Sequence, residues 1–330
     1  MANSRTLRRL IKAGVENGTE AFRRAAEELI REERAKKHHL LANDLERMLY
    51  GEGPGGPRAP SREYDVPKDT ERGLRLLEVR QPCRDLNEIV LSDENTSALG
   101  EIILEQGRSE LLGSYGLRAV GKVLFYGPPG CGKTTAAEVL ATELDMDIAV
   151  VRFDSVVSSF LGETAANLRK VFEFLAGERV VALFDEFDAV AKTRSDEAEH
   201  GELKRVVNAF LQLVDAYRGR SLLIAATNHE SLLDRAIWRR FDEVLHIDRP
   251  TLKQIQDLLS LKLRGVRYDL PLDETAFLKA MDGLSHADVE RVVVRAIKSM
   301  VLAGREILAV DLFETALRKE QRRQDVLARR

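Results

Sequence analysis

The sequence predicts an α/β protein: a parallel sheet with helices on both faces, a C-terminal all-helical domain and a small helical segment at the N-terminal end. Two observations lead to this fold class. Between residues 122 and 226, short β-rich apolar runs alternate with segments long enough to be crossover helices. After Pro250 the β signal vanishes and only helical periodicity remains.

The composition is that of a soluble globular chain, with 330 residues of which 44% are hydrophobic and 32% charged. The 51 basic and 54 acidic residues give a net charge of −3, which does not favour a polyanion or a membrane surface as partner. Two cysteines exclude a disulfide framework, and no Cys/His cluster has zinc-ligand spacing. Neither a secretory signal nor an apolar run of about 20 residues is found, so we expect a cytoplasmic protein.

The N-terminal part of the chain divides into a helical segment and a linker. Apolar residues recur at intervals of three and four from Thr6 to Leu49, which predicts two or three short helices. The stretch G-E-G-P-G-G-P-R-A-P-S that follows suits neither helix nor strand. We therefore expect four parts: a helical segment at 1–50, a linker at 51–63, an α/β domain at 64–249 and a helical lid at 250–330.

Within the last two parts, four strands and four helices are predicted. Short apolar runs bounded by polar residues are typical of strands that are buried on both faces. The strands are expected at 122–126, 148–153, 180–184 and 222–226, and the lid helices at 251–263, 273–281, 285–303 and 310–328.

A phosphate-binding loop is predicted between the first of these strands and a helix. The residues Gly127-Pro128-Pro129-Gly130-Cys131-Gly132-Lys133-Thr134 fit G-x-x-x-x-G-K-[ST]. Glycines let backbone N–H groups turn towards phosphates, Lys133 reaches the β and γ oxygens, and Thr134 offers a hydroxyl to Mg²⁺. Thr135 is included among the nucleotide-binding residues, and Cys131 is interpreted as a small side chain that fills the loop.

Two later strand ends carry polar residues that suit hydrolysis. Asp185 and Glu186 follow the run 180–184, and Asn228 follows the run 222–226. We expect Asp185 to hold the magnesium shell. Glu186, pointing the other way by strand alternation, would orient and deprotonate the attacking water, and Asn228 could position the same water.

In order and spacing, G-P-P-G-C-G-K-T, L-F-D-E-F-D, A-A-T-N and W-R-R-F-D resemble an AAA+ ATPase over residues 80–305. The segment 158–172 resembles the first pore loop of the AAA clade proper, the group of katanin, spastin, FtsH and Cdc48, and the chain looks like a stand-alone bacterial member. The resemblance implies a P-loop NTPase fold with ATP or ADP and Mg²⁺ as cofactors.

Pore and interface residues are also implied by the resemblance. Phe160 would be the aromatic residue that grips a polypeptide, Leu161 its companion and Gly162 the hinge, although a core Phe-Leu pair is an alternative. His200 would contact substrate from a second pore loop, unless the run around it is simply a solvated charged loop. Arg240, with Arg239 second, would reach a neighbour's γ-phosphate, although Ile237 stands where the family usually has the first arginine.

In the lid, the residues 283–288, G-L-S-H-A-D, resemble the clade's G-x-S-G-A-D. Ala287 takes the place of a sensor arginine, and His286 replaces the usual glycine. A side chain there could crowd the nucleotide or contact it, so its role stays open. Adenine would lie between the lid and the stretch 86–90, with Ile89 as a contact.

The resemblance implies a Mg-ATP-driven motor, a hexameric ring that threads a protein substrate through its pore. The sequence has neither H-E-x-x-H nor G-x-S-x-G, so degradation would need a separately encoded protease or other effector. The helical segment 1–50 would bind substrate or adaptor, or else serve oligomerisation. The alternative is an ATP-gated switch or a nucleic-acid-loading module. It is supported by an excess of basic residues in 1–50 (11 Lys/Arg against 8 Asp/Glu) and in 316–330 (6 against 2). Nucleic acid is otherwise not expected as a partner.

Overall fold

A computed structural model describes residues 26, 29–30, 62–70, 73–156, 161–186, 209–228 and 235–328. The chain divides into two compact units. The larger contains residues 57–250 together with 285–287, and the smaller contains 1–56, 251–284 and 288–330. In the smaller unit, Ala26, Leu29 and Ile30 are helical and buried.

The larger unit is built on a six-stranded sheet, and the predicted α/β class is confirmed. Its strands, in the spatial order β1-β3-β4-β5-β2-β6, are all parallel to their neighbours except β1, which pairs antiparallel with β3. The strands are β1 Leu77–Arg80, β2 Lys122–Tyr126, β3 Ile148–Val151, β4 Val181–Phe184, β5 Leu222–Thr227 and β6 Glu243–His246.

Helices cover both faces of this sheet. They are α1 Asp93–Gly107, α2 Ser109–Ser114, α3 Lys133–Glu143, α4 Phe153–Val156, α5 Leu161–Gly177 and α6 Arg235–Trp238, with a further helical segment at 209–216 and a 3-10 helix at Leu86–Glu88. On one face, Phe172 of α5 packs against Phe184 and Phe210. On the other, small residues of α3 such as Ala136 and Ala137 lie directly on the strands.

The sheet has two strands that were not predicted, β1 and β6, and these two form its edges. Strand β1, L-E-V-R, alternates apolar and charged residues, and strand β6, E-V-L-H, has only two apolar residues between polar ends. Edge strands have one neighbour and a more exposed face, so they do not need a continuous apolar run. That is why a search for apolar runs finds the four central strands and not these two.

The smaller unit is mainly helical, as expected, with α7 Leu252–Lys262, α8 Thr275–Lys279, α9 His286–Leu302 and α10 Val310–Ala328. Thr251 begins α7 with a capping box in which Gln254 bonds back to its backbone. One departure from the all-helical prediction is a pair of two-residue parallel strands, β7 Tyr268–Asp269 and β8 Leu308–Ala309. Strands this short carry no periodic pattern.

The helices α9 and α10 are joined by a buried ion-pair cluster. Glu320 of α10 is 0% exposed, and its carboxylate contacts Arg291 at 3.1 Å, Arg295 at 3.4 Å and Arg323 at 2.8 Å. Arg291 also pairs with Asp288. In the part of the chain that the structure describes, no helix is both long enough and apolar enough to cross a membrane.

Candidate active site

The predicted phosphate and hydrolysis residues follow the carboxyl ends of three neighbouring strands, at the same end of the sheet. The phosphate loop follows β2, Asp185 follows β4, and Asn228 follows β5, which lies between the other two. The carboxyl ends of parallel strands lie at the same end of the sheet, so Asn228 follows the middle strand at the same end as the phosphate loop and Asp185. These residues were predicted from sequence motifs, and the order of the strands brings them to the same place.

The glycines of the phosphate loop are required by backbone conformation and by close packing. Gly127 has φ 134°, and a Cβ at this position would lie 2.2 Å from the carbonyl oxygen of Ile247. Gly130 and Gly132 have φ values of 73° and 105°. L-residues with side chains rarely adopt these values, so any side chain here would strain the loop.

Lys133 is the first residue of α3 and is 6% exposed. Its Nζ donates hydrogen bonds to the carbonyl oxygens of Gly127 and Pro128, both at 2.8 Å. The ammonium group is therefore held over the loop, at a helix amino end where the backbone adds positive potential. Both features favour anionic phosphate oxygens at this place.

The two candidate metal ligands are in direct contact although they are far apart in sequence. The hydroxyl of Thr134 donates to Asp185 Oδ2 at 2.7 Å, and Asp185 Oδ1 accepts from the backbone N–H of Glu186 at 2.9 Å. Hydroxyl and carboxylate oxygens suit Mg²⁺, which keeps several waters and binds phosphate oxygens. Among the described residues no group of three or more His, Cys, Asp or Glu side chains could hold a metal by itself.

The orientation of Glu186 has a different cause from the one predicted. Strand β4 ends at Phe184, so Asp185 and Glu186 lie in a turn and strand alternation does not set their directions. Glu186 instead has φ 52°, in the left-handed region. A residue with a side chain is held there at a cost of about 1–3 kcal/mol, and such strain is concentrated at functional sites.

Cys131 is buried in the phosphate loop. Burial raises the pKa of its thiol, against the opposing effect of Lys133 nearby. A raised thiol pKa means little thiolate at neutral pH, and thiolate is the reactive form. These features agree with the interpretation of Cys131 as a loop-filling side chain.

Two segments distant in sequence flank the loop on the side where the base was expected. Ile89 follows the 3-10 helix, and its Cδ1 lies 3.9 Å from where a Cβ of Gly132 would be. The backbone N–H of Ala287 donates to the carbonyl oxygen of Gly130 at 2.9 Å. Thr135, the third residue of α3, is half-buried.

The arginine pair lies near the amino end of β2, whereas the phosphate loop follows its carboxyl end. Asp242 accepts hydrogen bonds from the backbone N–H groups of Gly121 and Lys122, where β2 begins, whereas the loop starts where β2 ends. A five-residue strand is about 16 Å long. Arg240, two residues before Asp242, donates through Nε to Asp215 at 2.7 Å, and Arg239 is exposed.

The expected pore residues are only partly described by the structure, and one residue that was not expected pairs with Arg240. Phe160 and His200 lie outside the described residues, and Leu161 and Gly162 are the first two residues of α5. Sequence reasoning missed Asp215, the ion-pair partner of Arg240. A single carboxylate within a helical segment carries no motif, so only the fold identifies it.

Comparison with known proteins gives the family. Residues 123–249 match the family described as ATPase family associated with various cellular activities (AAA). An uncharacterised AAA family ATPase of Sinorhizobium fredii, y4kL, is 41% identical over 310 residues, covering 94% of this chain and 93% of the relative. The chain belongs to the AAA ATPase family. It is therefore a nucleotide-binding ATPase.

Other relatives of the AAA protein are longer than it is. Proteasome-activating nucleotidase 2 of Haloferax volcanii is 31% identical over 262 residues, which are 76% of this chain and 63% of the relative. The ATP-dependent zinc metalloprotease FtsH 2 of Petrotoga mobilis is 29% identical over 282 residues, 82% of this chain and 42% of the relative. The AAA protein is thus related to unfoldase-type proteins but spans less than two thirds of either relative.

Proposed function

We propose that the AAA protein is a Mg-ATP-driven motor that unfolds or remodels proteins, working as a ring oligomer, a hexamer. The observation that carries this proposal is the similarity to a proteasome-activating nucleotidase and to an ATP-dependent metalloprotease over about three quarters of the chain. The geometry of the site supports the ATPase chemistry, and the position of the arginines supports assembly.

Hydrolysis is assigned to residues at the carboxyl edge of the sheet. Lys133 binds the β- and γ-phosphate oxygens, and Asn228 orients the attacking water. Glu186 accepts a proton from that water as the water oxygen bonds to the γ-phosphorus, while the bond from this phosphorus to the bridging β-phosphate oxygen breaks and ADP leaves. Thr134 and Asp185 would hold Mg²⁺, which neutralises charge on the phosphates.

We propose assembly because, within one chain, the Arg240 guanidinium and the phosphate loop lie near opposite ends of β2. Arg240 lies near the amino end of β2 and the phosphate loop at its carboxyl end, so Arg240 is better placed to serve a neighbouring protomer's nucleotide. A head-to-tail contact of this kind generates a ring when its rotation closes. Asp215 would hold the guanidinium in position through its ion pair.

A mixing experiment tests this assignment in trans. Lys133→Ala and Arg240→Ala should each lower ATPase activity by at least about 100-fold, because each removes charge stabilisation of the transferring phosphoryl group. When the two purified variants are mixed, activity should partly recover, because intact Arg240 meets intact phosphate loops at some interfaces. If the mixture stays inactive while both variants assemble normally, Arg240 does not act in trans.

Threading is the second part of the proposal, and Phe160 is its candidate residue. An aromatic side chain can grip a passing polypeptide without needing particular hydrogen-bond partners. Phe160→Ala should therefore abolish unfolding of a tagged reporter protein while ATPase activity stays within about twofold of wild type, and Phe160→Tyr, which keeps the ring, should retain unfolding. Full unfolding activity in the alanine variant would contradict the threading mechanism.

The remaining parts of the proposal concern partners. We assign substrate or adaptor binding to the helical segment 1–50, degradation to a separate protease, and location to the cytoplasm. An ATP-gated switch or loader is the competing function. It would be favoured if ATP controlled assembly or DNA binding with a steep salt dependence while reporter proteins stayed folded.

A further inference from the structure

His286 stands beside the phosphate loop, within the larger unit. The backbone N–H of the next residue, Ala287, bonds to the carbonyl oxygen of Gly130, and the hydroxyl of Ser285 lies 2.8 Å from where a Cβ of Gly130 would be. The backbone of His286 itself faces the Cys131 thiol. The first residue of α9 is thereby held against the loop that binds phosphates.

The imidazole ring has unused hydrogen-bonding capacity. Both Nδ1 and Nε2 are shielded from solvent, and neither has a hydrogen-bond partner among the described residues. Polar side-chain atoms buried in this way are uncommon, and each calls for an explanation such as a ligand. The ring lies next to the backbone of Val90, and Val90 follows Ile89, which lies against Gly132 of the loop and is the residue expected to contact the base.

The ring is neutral under ordinary conditions. Burial lowers the pKa of His286, and the backbone of Val90 acts in the opposite direction to a lesser extent. A neutral imidazole offers one N–H donor and one acceptor nitrogen. It therefore has an acceptor for an amino group, which a protonated ring would lack.

We propose that His286 recognises the adenine base, its acceptor nitrogen taking a hydrogen bond from the 6-amino group. This inference rests on the proposed binding of ATP at the phosphate loop. Because both nitrogens are now covered by protein atoms, the ring changes rotamer when the base enters beside Ile89 and Val90. The side chain that replaces a glycine of the family motif thus contributes base selectivity.

Nucleotide titration calorimetry tests the proposal with ATP and purine riboside triphosphate, which has hydrogen in place of the 6-amino group and so neither a donor nor an acceptor there. Wild type should bind ATP about tenfold more tightly, the value expected for one neutral hydrogen bond. His286→Phe keeps a ring and removes both nitrogens, so ATP affinity should fall about tenfold while the affinity for purine riboside triphosphate stays unchanged. His286→Gln, which keeps a donor and an acceptor, should retain part of the preference.

The outcomes separate this inference from the proposed function. Lys133→Ala is the control for the phosphates and should weaken both nucleotides alike. If His286→Phe and His286→Gln fold normally and leave the preference unchanged, or weaken both nucleotides equally, His286 does not recognise the base. If wild type bound neither nucleotide, the assigned phosphate site would be wrong instead. In NMR spectra, the side-chain signals of His286 should shift with ATP and much less with purine riboside triphosphate.

Discussion

Glu186→Gln is expected to lower the ATP hydrolysis rate by about 100-fold or more while the affinity for ATP stays unchanged. The amide has nearly the shape of the carboxylate but cannot accept the proton of the attacking water. Glu186 follows Asp185, whose carboxylate is already engaged by the Thr134 hydroxyl and by a backbone N–H. Glu186 is therefore the better placed of the two carboxylates to act as a base.

The measurement is steady-state phosphate release, combined with calorimetric ATP binding. Glu173→Gln, the same substitution on an exposed position of α5, is the matched control and should leave both quantities unchanged. Hydrolysis within about tenfold of wild type in Glu186→Gln would exclude Glu186 as the general base, because proton transfer of this kind contributes about 100-fold or more. Normal hydrolysis in Glu186→Gln together with slow hydrolysis in Asp185→Asn would assign the base to Asp185.

Glu320→Gln is expected to give the largest loss of stability, about 3 kcal/mol in the free energy of unfolding. The carboxylate is fully buried and contacts three arginines, so the substitution removes the negative charge that all three share and leaves a buried amide in its place. The guanidinium groups are partly exposed to water, which places the expected loss at the lower end of the range for a broken buried ion pair.

Urea denaturation followed by circular dichroism measures this loss. The control is Glu314→Gln on the same helix, where the carboxylate is exposed and pairs with Arg318 one turn away. An exposed pair of this kind contributes at most about 0.5 kcal/mol. Equal stability of the two variants would mean that the Glu320 cluster does not hold α9 and α10 together.

The central strands and the phosphate loop were predictable because their signals are local. Each strand buried on both faces is a short apolar run, and the loop motif is contiguous from Gly127 to Thr134. The edge strands β1 and β6 were missed because an edge position does not require such a run. The direction of Glu186 was explained wrongly, since where β4 ends depends on pairing with its neighbours.

The sequence by itself determined the chemistry: a lysine and glycines for phosphates, oxygen ligands for magnesium, and a carboxylate able to take a proton. Only the tertiary structure decided which of these side chains meet. Thr134 contacts Asp185 because β2 and β4 flank β5, and Arg240 is separated from the loop because it lies near the opposite end of β2. The physical reason is that local sequence patterns specify helices and strands, whereas contacts between distant residues depend on strand order and packing.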